Sequence, residues 1–155
     1  MAAERAHRQS ARTGVLLLNL GTPAAPTPAA IRRYLAEFLG DPRVVELPRA
    51  VWLPILYGLV LPLRPRRLAH AYASIWRDDG SPLRAISRRQ AQGLQAELSR
   101  RRGGEIPVAL AMTYGAPDIG PALAGLQLSA VRRLLLLPAF PQFSGSTTGA
   151  AMDAV

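Results

Sequence analysis

The chain has 155 residues, 49% of them hydrophobic, and no cysteine. That length suits one domain with a sizeable core, the apolar content excludes a disordered chain, and the missing thiols exclude disulfides and thiolate metal sites. The net charge is +9 and all nineteen basic residues are arginine. They stand in small separated groups, such as Arg32-Arg33, Arg66-Arg67, Arg88-Arg89 and Arg132-Arg133, without the interleaved aromatics of a single-strand binder. They read as solvated helix faces, and nucleic acid is not expected as a partner. The absence of cysteine fits a reducing compartment.

Residues 1–12 have no signal-peptide core and read as a short disordered tail. Residues 13–19, TGVLLLN, read as a buried parallel strand. A loop punctuated by Gly21, Pro23 and Pro26 follows. Thr27 then caps a helix with Pro28 at its first position, and Gly40 ends it. Residues 50–63, AVWLPILYGLVLPL, carry no charge and are too short to span a bilayer, which takes about 20 residues. Two readings stay open for them: a buried core helix, or an apolar lip on a cleft that touches a membrane surface. Residues 66–76 read as a short helix. Ser81-Pro82 opens a longer one, with Ile86, Leu94 and Leu98 toward its apolar face and Gly103-Gly104 at its close.

Residues 106–112 read as a second buried strand, 117–126 as a helix, and the four leucines 134–137 as a third buried strand. Next comes a loop with Phe140, Phe143 and the hydroxyls of Ser144, Ser146, Thr147 and Thr148, and a helix start cut off after about two turns, at Val155. Ser146 or Thr147 can cap that helix. The alternation of strands and helices predicts a parallel sheet flanked by helices. Its strand ends would aim residues 19–23, 113–117 and 138–148 at one crevice.

The common chemical signatures are missing. The sequence has no G-x-G-x-x-G after the first strand, no phosphate-cradling G-x-x-x-x-G-K-[ST] and no G-x-S-x-G. His7 falls in the tail, and His70 reads as a surface residue beside Arg66 and Arg67. No metal-ligand spacing occurs. What remains is an aromatic and hydroxyl-lined pocket with arginine nearby, suited to a flat apolar ligand with carboxylates at its rim.

Three segments carry a resemblance. GVLLLNLGTP, continuing through PTPAAIRRYLAEFLGDPRVVELPR, is the first; YASIWRDDGSP, leading into LRAISRRQ, is the second; LPAFPQFSGSTTG is the third. In this order and spacing the chain resembles the ferrochelatases, which insert ferrous iron into a porphyrin. Related cobalt and nickel chelatases lack an apolar insertion like residues 50–63. The resemblance implies a chelatase-like three-layer α/β/α fold, with residues 13–155 as the incomplete N-terminal domain of a two-domain enzyme, short of its fourth strand. The family's catalytic histidine, in a motif like S-x-H-[SG]-[IL]-P, and its acidic partner lie in the other half. No catalytic residue is therefore expected up to Val155; the pair is expected beyond it, and the chain by itself is expected to be inactive.

By the same resemblance Leu20 falls where the family contacts one porphyrin face. Tyr72, Ser81, Thr113, Tyr114, Phe140, Ser146 and Thr147 match positions lining or bordering the macrocycle, and Arg64 one near a propionate. Phe140 and Phe143 replace tyrosines, and Thr113 replaces a basic residue of some members. Gly145 stands where cluster-bearing members have cysteine, so no iron–sulfur cluster is expected, nor any other prosthetic group. The implied substrates are ferrous iron and protoporphyrin IX. The implied partners are the missing C-terminal half and, through residues 50–63, a membrane surface. The implied location is cytoplasmic with membrane association. The alternative is a non-catalytic module that binds a tetrapyrrole or a membrane surface.

Overall fold

A computed structural model describes residues 12–155. Most of the expected tail, residues 1–11, lies outside the described residues. Its last residue, Arg12, is held in place: the guanidinium donates to the Ser129 carbonyl at 2.8 Å and to Glu105 at 2.7 Å.

The central strand is β1 (Thr13–Gly21). With β2 (Val108–Tyr114) on one side and β3 (Arg133–Pro138) on the other, it forms a parallel sheet of order β2-β1-β3. Val15 stands opposite both Val108 and Leu135, and Gly21 opposite Tyr114. Side chains alternate between the two faces of a strand. Leu16 and Leu18 pack with Ala111 against Ile119 and Leu126 of α5 (Ile119–Leu128) and Ala151 of α6 (Ala150–Asp153). On the opposite face the Asn19 side-chain amide donates to Ser87 Oγ of α4 (Pro82–Arg102) at 3.0 Å. Helices therefore cover both faces, giving the expected three layers.

Helix starts follow the sequence signals. α1 (Pro28–Gly40) is capped by Thr27, whose hydroxyl accepts the Ala30 amide at 3.3 Å. α4 is capped by Ser81, accepting from the Arg84 amide at 3.3 Å, and ends on Gly103 in the left-handed conformation. Ile86 is exposed; the small residues Ala85, Ser87 and Ala91 are buried instead. Small side chains let a long helix lie close to the sheet. The second strand and the helix after it each sit two residues later than the sequence pattern indicates. The polar loop 77–80 is a turn closed by reciprocal Arg77 and Gly80 backbone bonds, each 3.0 Å.

Residues 50–63 are not a buried helix. They run through α2 (Arg49–Ile55), a π-helical turn (Leu56–Val60) and the start of α3 (Leu61–Ile75), so the expected helix at 66–76 is the end of a longer one. Only Leu56 and Leu61 of the stretch are buried, while Val51, Ile55, Tyr57, Leu59 and Leu63 are exposed. Pro54 and Pro62 do not stop the chain. Pro62 lies in the first turn of α3, where no amide donor is needed, and the π turn takes up the irregularity after Pro54.

The four leucines of β3 form a strand, but not a buried one. Leu134, Leu135 and Leu137 are exposed, Leu135 to 55%. β3 pairs with β1 on one side only. An apolar run specifies a strand; what covers it is decided elsewhere in the fold.

The opposite edge is closed differently. Val15 takes the Pro107 carbonyl, so odd-numbered residues of β2 face β1 and even-numbered ones face outward. The outward amides of Val108 and Met112 are taken by Gln95 Oε1 at 3.0 Å and the Pro117 carbonyl at 2.8 Å. Just before the strand, the Ile106 amide is taken by Ser99 Oγ at 3.0 Å.

Candidate functional site

The parallel strands end at one edge, the position where α/β sheets gather ligand chemistry. Gly21 and Tyr114 mark that edge on β1 and β2. Gly21 has φ +112°, and a Cβ there would collide with the Tyr114 carbonyl. Only glycine lets the two strands approach this closely.

An apolar cluster lies beneath this edge. Ile31, Tyr34, Leu35, Leu56, Leu61, Tyr114 and Ala150 are buried in it, with Leu20, Phe38, Trp52 and Tyr72 packed against them. The Tyr34 and Phe38 rings, one helical turn apart, stack at 5.9 Å, and Phe38 meets Tyr114 edge-on at 5.2 Å. The Tyr34 hydroxyl donates to the Gly21 carbonyl at 3.3 Å. Its pKa is pushed well up by burial, with smaller contributions from Tyr72 and Glu37. Burial also raises Tyr72, and the nearby Arg64 guanidinium opposes that shift. Tyr114 is raised by burial and by donating to Asp41 Oδ2 at 2.7 Å. These phenols are therefore neutral hydrogen-bonding groups and not bases.

Three of the expected site residues, Leu20, Tyr72 and Tyr114, come together in this cluster, and exposed Arg64 lies beside Tyr72. Thr113 is half-buried and donates to the Asn19 carbonyl at 3.3 Å. Ser81 is buried and committed to its helix cap. Phe140 parts from the group: it packs against the other cluster, beside Leu16, Leu18 and Ala151. Phe143 is 76% exposed and is not a core aromatic. Val155, beyond which the catalytic pair is expected, follows α6, is exposed and belongs to neither cluster.

Ser146 and Thr147 lie in a π-helical turn (Gly145–Gly149). Neither is its cap. Ser144 precedes the turn, its carbonyl accepts the Thr147 and Gly149 amides at 3.3 and 3.0 Å, and its hydroxyl meets those of Ser146 and Thr147 at 3.2 and 2.9 Å. The three hydroxyls thus form one set centred on Ser144. Ala150, the residue that follows the turn and opens α6, is buried in the first cluster.

Sequence reasoning passed over Asn19, Asp41 and Arg43. Asn19 is buried; besides holding Ser87, its side-chain carbonyl accepts the Leu20 amide at 2.8 Å, fixing the backbone of an expected site residue. Asp41 follows α1 and holds Tyr114. Arg43 Nε reaches Asp153 of α6 at 2.5 Å. A polar residue ending an apolar run, and an Asp-Pro-Arg elbow after a helix, were the available signals.

A cavity of about 270 Å³ lies at the β1 and β2 ends, lined by Thr22, Pro23, Tyr34, Arg33, Glu37 and Gly115 among others. Glu37 closes one side by accepting the Gly115 amide at 2.9 Å. A larger groove of about 480 Å³ runs between α4 and β2, lined by Arg88, Gln92, Gln95, Ser99, Val108 and Leu110 among others. None of the nine expected site residues lines either one. Among the described residues no group of three or more His, Cys, Asp or Glu side chains is placed to hold a metal ion.

Comparison with known proteins gives a consistent answer. A sequence model of one family, described as ferrochelatase, matches residues 12–155. The ferrochelatase of Nitrosococcus oceani is 55% identical over 149 residues, covering 96% of this chain and 40% of that protein. That of Thioalkalivibrio sulfidiphilus is 56% identical, covering 92% and 38%. That of an Azoarcus species is 52% identical, covering 99% and 42%. The chain therefore spans about two fifths of the length of these curated relatives. The match extends from the first described residue to the last, and the chain belongs to the ferrochelatase family.

Proposed function

We propose that this chain forms one wall of a porphyrin cleft in an enzyme that inserts ferrous iron into protoporphyrin IX, giving protohaem. The observation that carries this is the meeting of Leu20, Tyr72 and Tyr114 in one apolar cluster at the strand ends with Ala150, the residue that follows the hydroxyl turn, in a chain of this family. A flat macrocycle needs an apolar wall with few polar groups, and neutral phenols and hydroxyls supply them without placing charge against the ring. Arg64 beside Tyr72 suits a propionate at the rim.

Metal insertion also needs a base for the pyrrole protons and a distorted ring. Up to Val155 this sequence contains no S-x-H-[SG]-[IL]-P motif, and its histidines are His7 and His70. In this reading the proton-handling histidine and its acidic partner come from the other half of the enzyme. The 155-residue chain then binds protoporphyrin and does not metallate it, and with glycine at position 145 it holds no iron–sulfur cluster. Titrating the chain with protoporphyrin IX while following the Soret band tests this. A saturable shift with no iron or zinc insertion is expected; no shift, or metal insertion, overturns it.

A second reading concerns residues 50–63. Among the described residues no helix is long and apolar enough to cross a membrane. The exposed Val51, Ile55, Tyr57, Leu59 and Leu63, with Arg64, Arg66 and Arg67 following, favour a protein that touches a bilayer surface. Co-sedimentation with anionic vesicles, reduced by Tyr57→Ser with Leu59→Ser, is the expected result. Equal co-sedimentation of the two forms counts against it.

A further inference from the structure

β2 and β3 never pair, because β1 lies between them. The Tyr114 end of β2 and the hydroxyl turn that follows β3 are nevertheless joined by a polar bridge. Asp41 is its centre. One carboxylate oxygen accepts the Tyr114 hydroxyl at 2.7 Å, and the other accepts the Arg43 amide at 2.7 Å. The Asp41 carbonyl accepts the amides of Val44 and Val45 at 3.0 and 3.1 Å, which stiffens the elbow. Arg43 then extends to Asp153 at 2.5 Å. On the way its guanidinium lies against Gly149, where an added Cβ would sit 3.3 Å from the Nη1 atom.

We propose that Asp41 and Arg43 are positioning residues for tetrapyrrole binding: they clasp the turn Gly145–Gly149 to the Tyr114 end of β2 and so fix the spacing of two parts of the porphyrin wall. This rests on the porphyrin reading above. The clasp touches no ligand. It acts through Tyr114, whose hydroxyl it fixes, and through the turn, whose last residue it covers. Its outer member is a half-exposed ion pair, which adds little to global stability. A change in binding geometry with little change in melting is therefore its signature.

The test uses the 155-residue chain and protoporphyrin IX. Arg43→Gln and Tyr114→Phe are each expected to weaken binding about threefold and to move the bound Soret band; melting stays nearly unchanged for Arg43→Gln and falls for Tyr114→Phe, which leaves an Asp41 oxygen without its donor. The exchanged pair Arg43→Asp with Asp153→Arg is expected to recover part of the affinity. The Arg43→Gln defect should shrink at high salt, where the unaltered chain also loses the pair. Variants that bind with unaltered affinity and an unaltered Soret band overturn the clasp while leaving the porphyrin reading intact. No saturable shift for the unaltered chain overturns the porphyrin reading, and the clasp's role with it.

Discussion

β1 and β3 are spelled almost alike, VLLLNL against RLLLLP, and they lie side by side. One is buried from Gly14 to Asn19; the other leaves three leucines exposed. The difference is not in their own residues. β1 has a strand on each side and helices on both faces, whereas β3 has one neighbour and incomplete cover. Local sequence therefore specifies extended backbone, and the energetic weight of each leucine is set by its surroundings.

Substitutions along the two strands can break that contrast. The largest effect is expected for Gly21→Ala at the end of β1. Positive φ and collision with the Tyr114 carbonyl should together cost about 4 kcal/mol or prevent folding, read by soluble yield and urea denaturation. Leu16→Ala, in the fully covered middle of β1, should cost about 3 kcal/mol. Asn19→Ala strips Ser87 and the Leu20 amide of a partner and should cost about 2 kcal/mol.

A smaller effect depends on pH. Tyr34 and Tyr114 hold their protons more tightly folded than unfolded, since burial raises both. Above the ordinary phenol value of about 10 the unfolded chain loses protons that the folded chain keeps. Stability is then fully present below about pH 10 and falls as the pH rises through it. The fall should be shallower in Tyr34→Phe. A Tyr34→Phe chain with the same steep alkaline loss would count against this account. The smallest effect belongs to Leu135→Ala, expected within about 1 kcal/mol despite the same chemistry as Leu16→Ala. Equal costs for those two would erase the contrast.

Much of this was legible beforehand. Thr27-Pro28 and Ser81-Pro82 start helices because a hydroxyl cap followed by proline is a purely local instruction. The three parallel strands followed from their alternation with helices. The placement of 50–63 was not legible, because periodicity does not say whether a neighbour exists to bury a face. The hydroxyl loop was recognisable as a site, but its internal wiring was not. Ser144 stands at the N-cap position without a side-chain cap bond, because its hydroxyl is engaged by those of Ser146 and Thr147, which no composition rule anticipates. Asp41 was invisible for a related reason: its partner Tyr114 is 73 residues away.

The amides of Ile106, Val108 and Met112 gain a further meaning beside the bare leucines of β3. With α4 side chains and the Pro117 carbonyl occupying part of one rim, the sheet has a partly capped side and an open side. A sheet open on both rims can recruit copies without end, as fibrils do. A sheet open on one rim can add strands only there. A further strand joining this sheet is therefore expected beside β3, where it would also cover the exposed leucines.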